Sequence, residues 1–205
     1  MFSMSVADRR QREKLALRQE ILAAARELFA KEGYESVSMR RLAQKIEYSP
    51  TTIYLYFRDK DELIQELCEE TFSLLTKKIE KAVSGGGDPV ELLKRGLRAY
   101  VDFGIQHPNH YRTTFLTPHD DACAKDLAAS AGGRAFQCLA KGIAACVKAG
   151  RFRETDVNAI GQSLWSVVHG LTALQITHGR CFPWIEPERL IGLTIDTAVD
   201  GLMRR

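Results

Sequence analysis

The sequence predicts an all-α chain of about nine helices, with an N-terminal part over residues 1–63 and a larger helical part over residues 64–205. Three observations lead there. Apolar residues recur three and four apart along most of the chain, the period of a helix that buries one face. Helix starts are marked by a capping side chain followed by proline, at Ser49-Pro50 and Asp88-Pro89. Proline at the first helical position loses no hydrogen bond, because its missing N–H has no partner there anyway. No strand pattern, internal repeat or low-complexity tract interrupts these signals.

The elements follow in order. Residues 1–14 are polar and basic, with Arg9, Arg10, Arg12 and Lys14 close together. They read as a partly disordered arm, of the kind that reaches phosphates or a minor groove or stays a solvated tail. Helix one places Leu17, Ile21, Ala25, Leu28 and Phe29 on one face and stops at Gly33. Helix two starts at Ser38 as N-cap and turns Leu42, Ala43 and Ile46 inward. Glu47 and Tyr48 make a tight turn. Helix three restarts at Ser49-Pro50, with Ile53 and Phe57 inward. Asp59 caps helix four, and Glu62 completes a capping box.

Helix four runs through Leu63, Leu67, Leu75 and Val83 to the flexible joint Ser84-Gly85-Gly86-Gly87. Helix five runs from Pro89 to His107-Pro108, and a short helix six spans 109–116. Helix seven is expected over 121–148, weakened at Gly132-Gly133. Helix eight spans 155–178, and helix nine opens at Pro187 and runs to the C-terminus.

Composition excludes several classes. Hydrophobic residues make up 45% and charged residues 27%, ordinary globular proportions. No apolar run approaches the ~18 residues of a membrane span, and no secretion signal opens the sequence. A cytoplasmic protein that does not enter membranes is expected. The five cysteines are irregularly spaced without a C-x-x-C pair, so reduced and mostly buried thiols are expected. The net charge of +3 is uneven: residues 1–60 carry 12 Lys and Arg against 8 Asp and Glu. A basic front fits a polyanion.

Two short helices around a tight turn form a helix-turn-helix. At 100° per residue, Ile53 and Phe57 set the buried direction of helix three. Thr51, Thr52 and Leu55 fall opposite, and Tyr54 and Tyr56 fall on the flanks. Such a ridge suits a major groove: threonine hydroxyls reach base edges, and Thr or Leu methyls meet a thymine methyl. Flanking phenols suit phosphates, which set register. Lys60, at the start of helix four, suits another phosphate.

The stretches A-A-R-E-L-F-A-K-E-G-Y (24–34), S-M-R-R-L-A (38–43) and S-P-T-T-I-Y-L-Y-F-R-D-K-D-E-L (49–63) resemble the DNA-binding domain of the tetracycline-repressor (TetR) family of bacterial transcriptional regulators. The resemblance implies that Thr51, Thr52 and Tyr56 approach DNA from helix three, Arg40 from helix two, and that Lys60 touches phosphate, with Tyr54 near the backbone. Two positions depart from the family pattern. Glu47 stands where the family usually has glycine in the turn, and Arg41 where it usually has an acid. Arg41 gives up a reciprocal cap yet adds a cation near phosphates. The patch W-S-V-V-H-G (165–170) resembles the W-H-G signature of one C-terminal subgroup, and H-P-N-H-Y-R (107–112) fits that subgroup's entry to helix six.

Helix eight has an apolar stripe, Val157, Ile160, Leu164, Val168 and Leu171, and a second stripe of small residues from Ala159 through Ser163, Ser166, Gly170 and Ala173 to Thr177. Small stripes admit a second helix closely, most simply from a twofold-related subunit. Gly192, Ile195, Ala198, Val199 and Leu202 of helix nine are the expected companions in a four-helix homodimer interface.

A cavity for a small, mostly apolar effector is expected among helices four to eight. Its candidate residues are Phe72, Tyr100, Phe103, Gly104 and Tyr111, together with Phe115, Phe136, Trp165 and His169. Helix four would be the lever between effector and DNA.

The expected function is a homodimeric regulator, a repressor released from a palindromic operator by its effector. The alternatives are a ligand-blind DNA-binding or interaction protein on the same scaffold, or a redox- or metal-responsive regulator. His107 with His110, three apart, and His119 with Cys123, four apart, are geometrically possible metal pairs, with no obvious third ligand. Cys123 and Cys181 are the loop thiols to consider for oxidants. No nucleophile motif, phosphate loop or paired-carboxylate site is present, so neither an enzyme nor a cofactor is expected.

Overall fold

A computed structural model describes residues 6–116, 130–179 and 181–204. Among them are nine α-helices and no β-strand: α1 (Val6–Glu32), α2 (Met39–Lys45), α3 (Pro50–Tyr54), α4 (Lys60–Val83), α5 (Pro89–Gln106), α6 (Pro108–Tyr111), α7 (Ala131–Lys148), α8 (Val157–His178) and α9 (Pro187–Asp200). A π-helical turn, Arg112–Leu116, follows α6. No described helix is long and apolar enough to cross a membrane.

The caps form as their chemistry dictates. Ser38, Ser49, Asp88 and Asp156 each accept a backbone N–H at the start of a helix. Gly33, at φ 82°, ends α1 in the left-handed region.

Four boundaries differ from expectation. The arm is helical from Val6 onward, because its residues are strong helix formers and Arg9 pairs with Glu13 one turn on, at 3.6 Å. Helix six is one α-turn continued as a π-turn, rather than one helix. α7 starts at Ala131, where Ser130 accepts the Gly133 amide at 3.0 Å. The expected start of that helix at Asp121, with His119 and Cys123, lies outside the described residues. α9 ends at Asp200, and Met203 then forms an isolated antiparallel bridge with Phe152.

The chain divides into two compact units, Met1–Cys68 with Asn109–Cys123, and Glu69–Pro108 with Ala124–Arg205. The core of the first is built by Ile21, Ala25 and Phe29 of α1, Leu42 and Ala43 of α2, Ile53 and Phe57 around α3, and Leu63, Ile64 and Leu67 of α4. Burying each of the isoleucine, leucine and phenylalanine side chains is worth about 1.5–3 kcal/mol. In the first unit the Arg18 guanidinium pairs with the Glu66 carboxylate and lies 4.9 Å over the Phe57 ring. Thr113 donates to the Arg26 carbonyl of α1.

The second unit packs α5, α7, α8 and α9 around Leu93, Leu97 and Val101, Ile143, Ile160, Leu164 and Val168, and Ile191, Ile195 and Val199. Lys94 of α5 reaches both Asp196 and Asp200 of α9 at 2.8 Å, and Arg98 pairs with Glu188. Ile195 and Val199 therefore serve this core. They do not face outward as companions for a second subunit, contrary to expectation, because both are buried inside the protomer.

Cys68 and Cys146 are buried, Cys138 is half-buried and Cys181 is exposed. Burial raises the Cys138 thiol and pushes Cys146 up to about 11, away from reactive thiolate.

Candidate nucleic-acid interface

The α2–α3 joint is a Schellman turn. The Tyr48 amide donates to the Ala43 carbonyl at 3.0 Å and the Glu47 amide to the Gln44 carbonyl at 3.4 Å. This geometry puts Glu47 at φ 59°, the left-handed conformation that glycine adopts without strain. The chain then restarts at Ser49, whose hydroxyl accepts the Thr52 amide at 3.1 Å and lies 2.9 Å from the Thr52 hydroxyl.

α3 is thereby aimed. Ile53 and Phe57 are 0% and 1% exposed and anchor it. Opposite them Thr51, Tyr54 and Leu55 are exposed, Leu55 at 74%. Thr52 and Tyr56 are half-buried, Thr52 with its hydroxyl engaged by Ser49. Tyr48, Tyr54 and Leu55 are the exposed large hydrophobic residues of this segment. Leu55 follows the helix as its C-cap, so the ridge is shorter than a helix running to Phe57.

The flanking cations separate into two kinds. Arg40 is exposed on α2. Arg41 is tied to Glu32 of α1 at 3.1 Å, which compensates its place in the first turn of α2. Lys60 turns away from solvent: its ammonium donates to the Tyr34 carbonyl at 2.9 Å and lies 3.9 Å from the centre of the Tyr34 ring. The Tyr34 hydroxyl in turn donates to Asp61, and burial followed by this carboxylate raises its phenol.

At the start of α4 the capping box forms in a shifted version. Asp59 accepts the Glu62 amide at 2.8 Å, and Glu62 reaches back to the Arg58 amide at 2.7 Å rather than to Asp59. The Glu62 amide, and then Arg58, hold the Asp59 carboxyl below its ordinary range. Two further exposed residues on this surface are not among the DNA-facing residues expected from the sequence: Tyr48 in the turn and Arg58 after Phe57. Their signal is position alone, a large aromatic and a cation in segments that have no apolar stripe to join.

The expected effector residues divide between the units. Tyr111 and Phe115, with ring centres 4.7 Å apart, belong to the first. The other seven belong to the second. There the Trp165 indole donates to the Tyr100 hydroxyl at 3.2 Å, and that hydroxyl lies 3.4 Å from His169 Nδ1. Burial lowers the His169 pKa, so the imidazole is neutral at physiological pH. Phe72 closes on Gly132 and Phe136 on Gly161, where a Cβ would stand 3.2 Å from each ring. Phe103 and Gly104 are buried in α5, with the Phe103 ring 4.9 Å from that of His107.

The small stripe of α8 is exposed at Ala159, Ser163, Ser166 and Thr177 and half-buried at Gly170 and Ala173. A Cβ built on Gly170 or on Gly192 of α9 meets nothing within 4 Å. Among the described residues no group of three or more His, Cys, Asp or Glu is placed to hold a metal ion.

Comparison with known proteins places both parts. Residues 21–67 match the family of bacterial regulatory proteins described as tetR, and residues 93–198 match a tetracyclin repressor-like C-terminal domain. An uncharacterised HTH-type transcriptional regulator of Haemophilus influenzae is 38% identical over 68 residues, 33% of this chain and 36% of that one. The HTH-type transcriptional regulator UidR of Escherichia coli is 33% identical over 99 residues, 48% of this chain and 44% of that one. The HTH-type transcriptional repressor KstR of Mycolicibacterium smegmatis is 34% identical over 83 residues, 40% of this chain and 39% of that one. The chain thus spans less than half the length of these curated relatives.

The likeness to solved structures is longer. The TetR family transcriptional regulator PfmR of Thermus thermophilus superposes with a TM-score of 0.70 at 27% identity, over 90% of this chain and 99% of that one. A TetR family transcription regulator of Marinobacter aquaeolei superposes with a TM-score of 0.75 over 96% of this chain and 100% of that one, at 20% identity, a likeness of fold.

Proposed function

Because the chain belongs to the TetR family of bacterial transcriptional regulators, whose members are regulators rather than enzymes, we propose that it is a homodimeric repressor that leaves a palindromic operator when a small, mostly apolar effector binds. The observation that carries the DNA half is the exposed ridge of Thr51, Tyr54 and Leu55 on a helix fixed from behind by Ile53 and Phe57. Thr51 and Leu55 face bases, Thr52 supports them from its bond to Ser49, and Tyr54, Tyr56, Arg40 and Arg41 line phosphates. Lys60 lends its charge to that line from its seat on Tyr34. A cytoplasmic location goes with this role.

The dimer half rests on α8 and α9. The outer stripe of α8 is small and exposed, and Gly170 and Gly192 have open space beside them, which suits close helices from a second copy. Two recognition helices in such a dimer read half-sites one helical turn apart, about 34–36 Å, or somewhat wider.

The effector half rests on Tyr100, Trp165 and His169, a compact polar group beside buried aromatic residues, as expected of an apolar site with few orienting groups. α4 would carry the signal as the lever. The effector must favour the released state by a few kcal/mol to clear the operator.

Fluorescence anisotropy of a labelled duplex over a range of KCl tests the DNA half. Affinity should fall steeply with salt, with a log–log slope near −0.9 for each phosphate neutralised. A flat profile would remove the proposal.

A further inference from the structure

α1 is longer than its packing requires. Its buried face is set by Ile21, Leu22, Ala24 and Ala25 and continues to Leu28 and Phe29. Toward the other end the same face continues as cations. Arg10, Lys14 and Arg18 stand four residues apart, with Ala25 and Ile21 on their side of the helix. At 3.6 residues per turn such a row drifts by only about 40° per step.

The row has a fixed point. Arg18 is held by Glu66 and lies over the ring of Phe57, the residue that anchors the end of the recognition ridge. From that point Lys14 and Arg10 follow along the α1 axis at about 6 and 12 Å, given a rise of 1.5 Å per residue. Both are exposed. Arg9, on the flank, is paired with Glu13, whereas Arg10 and Lys14 have no ion pair among the described residues. Two cations at i and i+4 repel and weaken the helix that carries them. A polyanion turns that repulsion into attraction, and duplex DNA presents one negative charge per about 1.7 Å of its axis.

We propose that the first turns of α1 form a second DNA limb, in which Arg10 and Lys14 bind phosphates alongside those met by the recognition ridge. It rests on the DNA-binding function proposed above and extends the interface along α1. Phosphate binding of this kind adds affinity and salt dependence without reading sequence.

The test uses the full chain and a fluorescein-labelled duplex that the unaltered protein has enriched from a random pool. Anisotropy titrations are run across KCl concentrations. For Arg10→Ala/Lys14→Ala, the slope of log affinity against log salt should become shallower by about 1.8 per protomer, at 0.9 for each phosphate no longer neutralised. The enriched sequence should stay the same. Alanine favours the helix, so far-UV dichroism should show α1 retained. Arg10→Lys/Lys14→Arg should keep the slope, and Arg9→Ala, which removes a cation already paired, should leave it in place. An unchanged slope in the double alanine variant overturns the second limb while leaving the ridge intact. Absence of salt-dependent binding by the unaltered protein removes the DNA function itself, and the limb with it.

Discussion

The Lys60 ammonium sits 2.9 Å from the Tyr34 carbonyl oxygen and 3.9 Å from the centre of the Tyr34 ring, joining the start of α4 to the loop that leaves α1. A charged hydrogen bond and a cation–π interaction act on the same side chain, which is half-buried. Lys60→Met keeps the stem and removes both. The variant should lose about 2 kcal/mol of stability in urea unfolding, the low end of the summed ranges for those interactions. Its DNA salt slope should change by less than the 0.9 expected for one whole phosphate. A full loss of slope with unchanged stability would make Lys60 a phosphate ligand instead of a brace.

Glu47 holds φ 59° in the turn between α2 and α3. A non-glycine residue there carries about 1–2 kcal/mol of strain, partly offset by the extra freedom glycine has when unfolded. Glu47→Gly should therefore stabilise the protein by about 0.5–1 kcal/mol. It also removes an anion from the DNA face, so affinity should rise. Urea unfolding and anisotropy read the two effects separately.

Gly170 lies on the outer stripe of α8 with nothing within 4 Å of a built Cβ. Gly170→Leu should leave the protomer folded, and it should favour the helix by up to about 1 kcal/mol. In the proposed dimer the added side chain would meet the second copy. Light scattering should show a shift from dimer to monomer, and an unchanged dimer would place the interface elsewhere.

His169 contributes a pH dependence of defined sign. Its folded pKa lies below the ordinary 6.5 because burial disfavours the imidazolium. The unfolded chain therefore binds the proton more readily in the interval just below 6.5. That contribution to stability is present above 6.5 and is lost as pH falls through it toward the folded value. Thermal unfolding midpoints should drop over that interval, and His169→Gln should flatten the drop.

Much of this was legible in the sequence, for local reasons. The caps at Ser38, Ser49 and Asp88 and the stop at Gly33 are interactions between residues at most three or four apart, and all formed as expected. The inward pair Ile53 and Phe57 followed from helical spacing. Glu47 stands at a position where the family usually holds glycine, and its φ of 59° gives the physical reason for that preference. What escaped depends on partners distant in sequence. Nothing near Lys60 announces that Tyr34 will take its ammonium, and nothing near Arg41 announces Glu32. Ile195 and Val199 share a helical face with small residues, and only packing within the protomer decides which way that face turns. The basic segment ahead of Leu17 resembles a tail because charge dominates its composition, although its helix propensity is high.

If α3 reads a twofold-symmetric DNA site, rounds of enrichment from a random duplex pool, followed by sequencing, should yield an inverted repeat with half-sites about one helical turn apart, or somewhat wider. Thr51→Ala should then change the preferred bases, whereas Tyr54→Phe should weaken all sequences alike. A pool that stays random through enrichment, or one that converges on a sequence Thr51→Ala leaves untouched, would contradict such a role for α3.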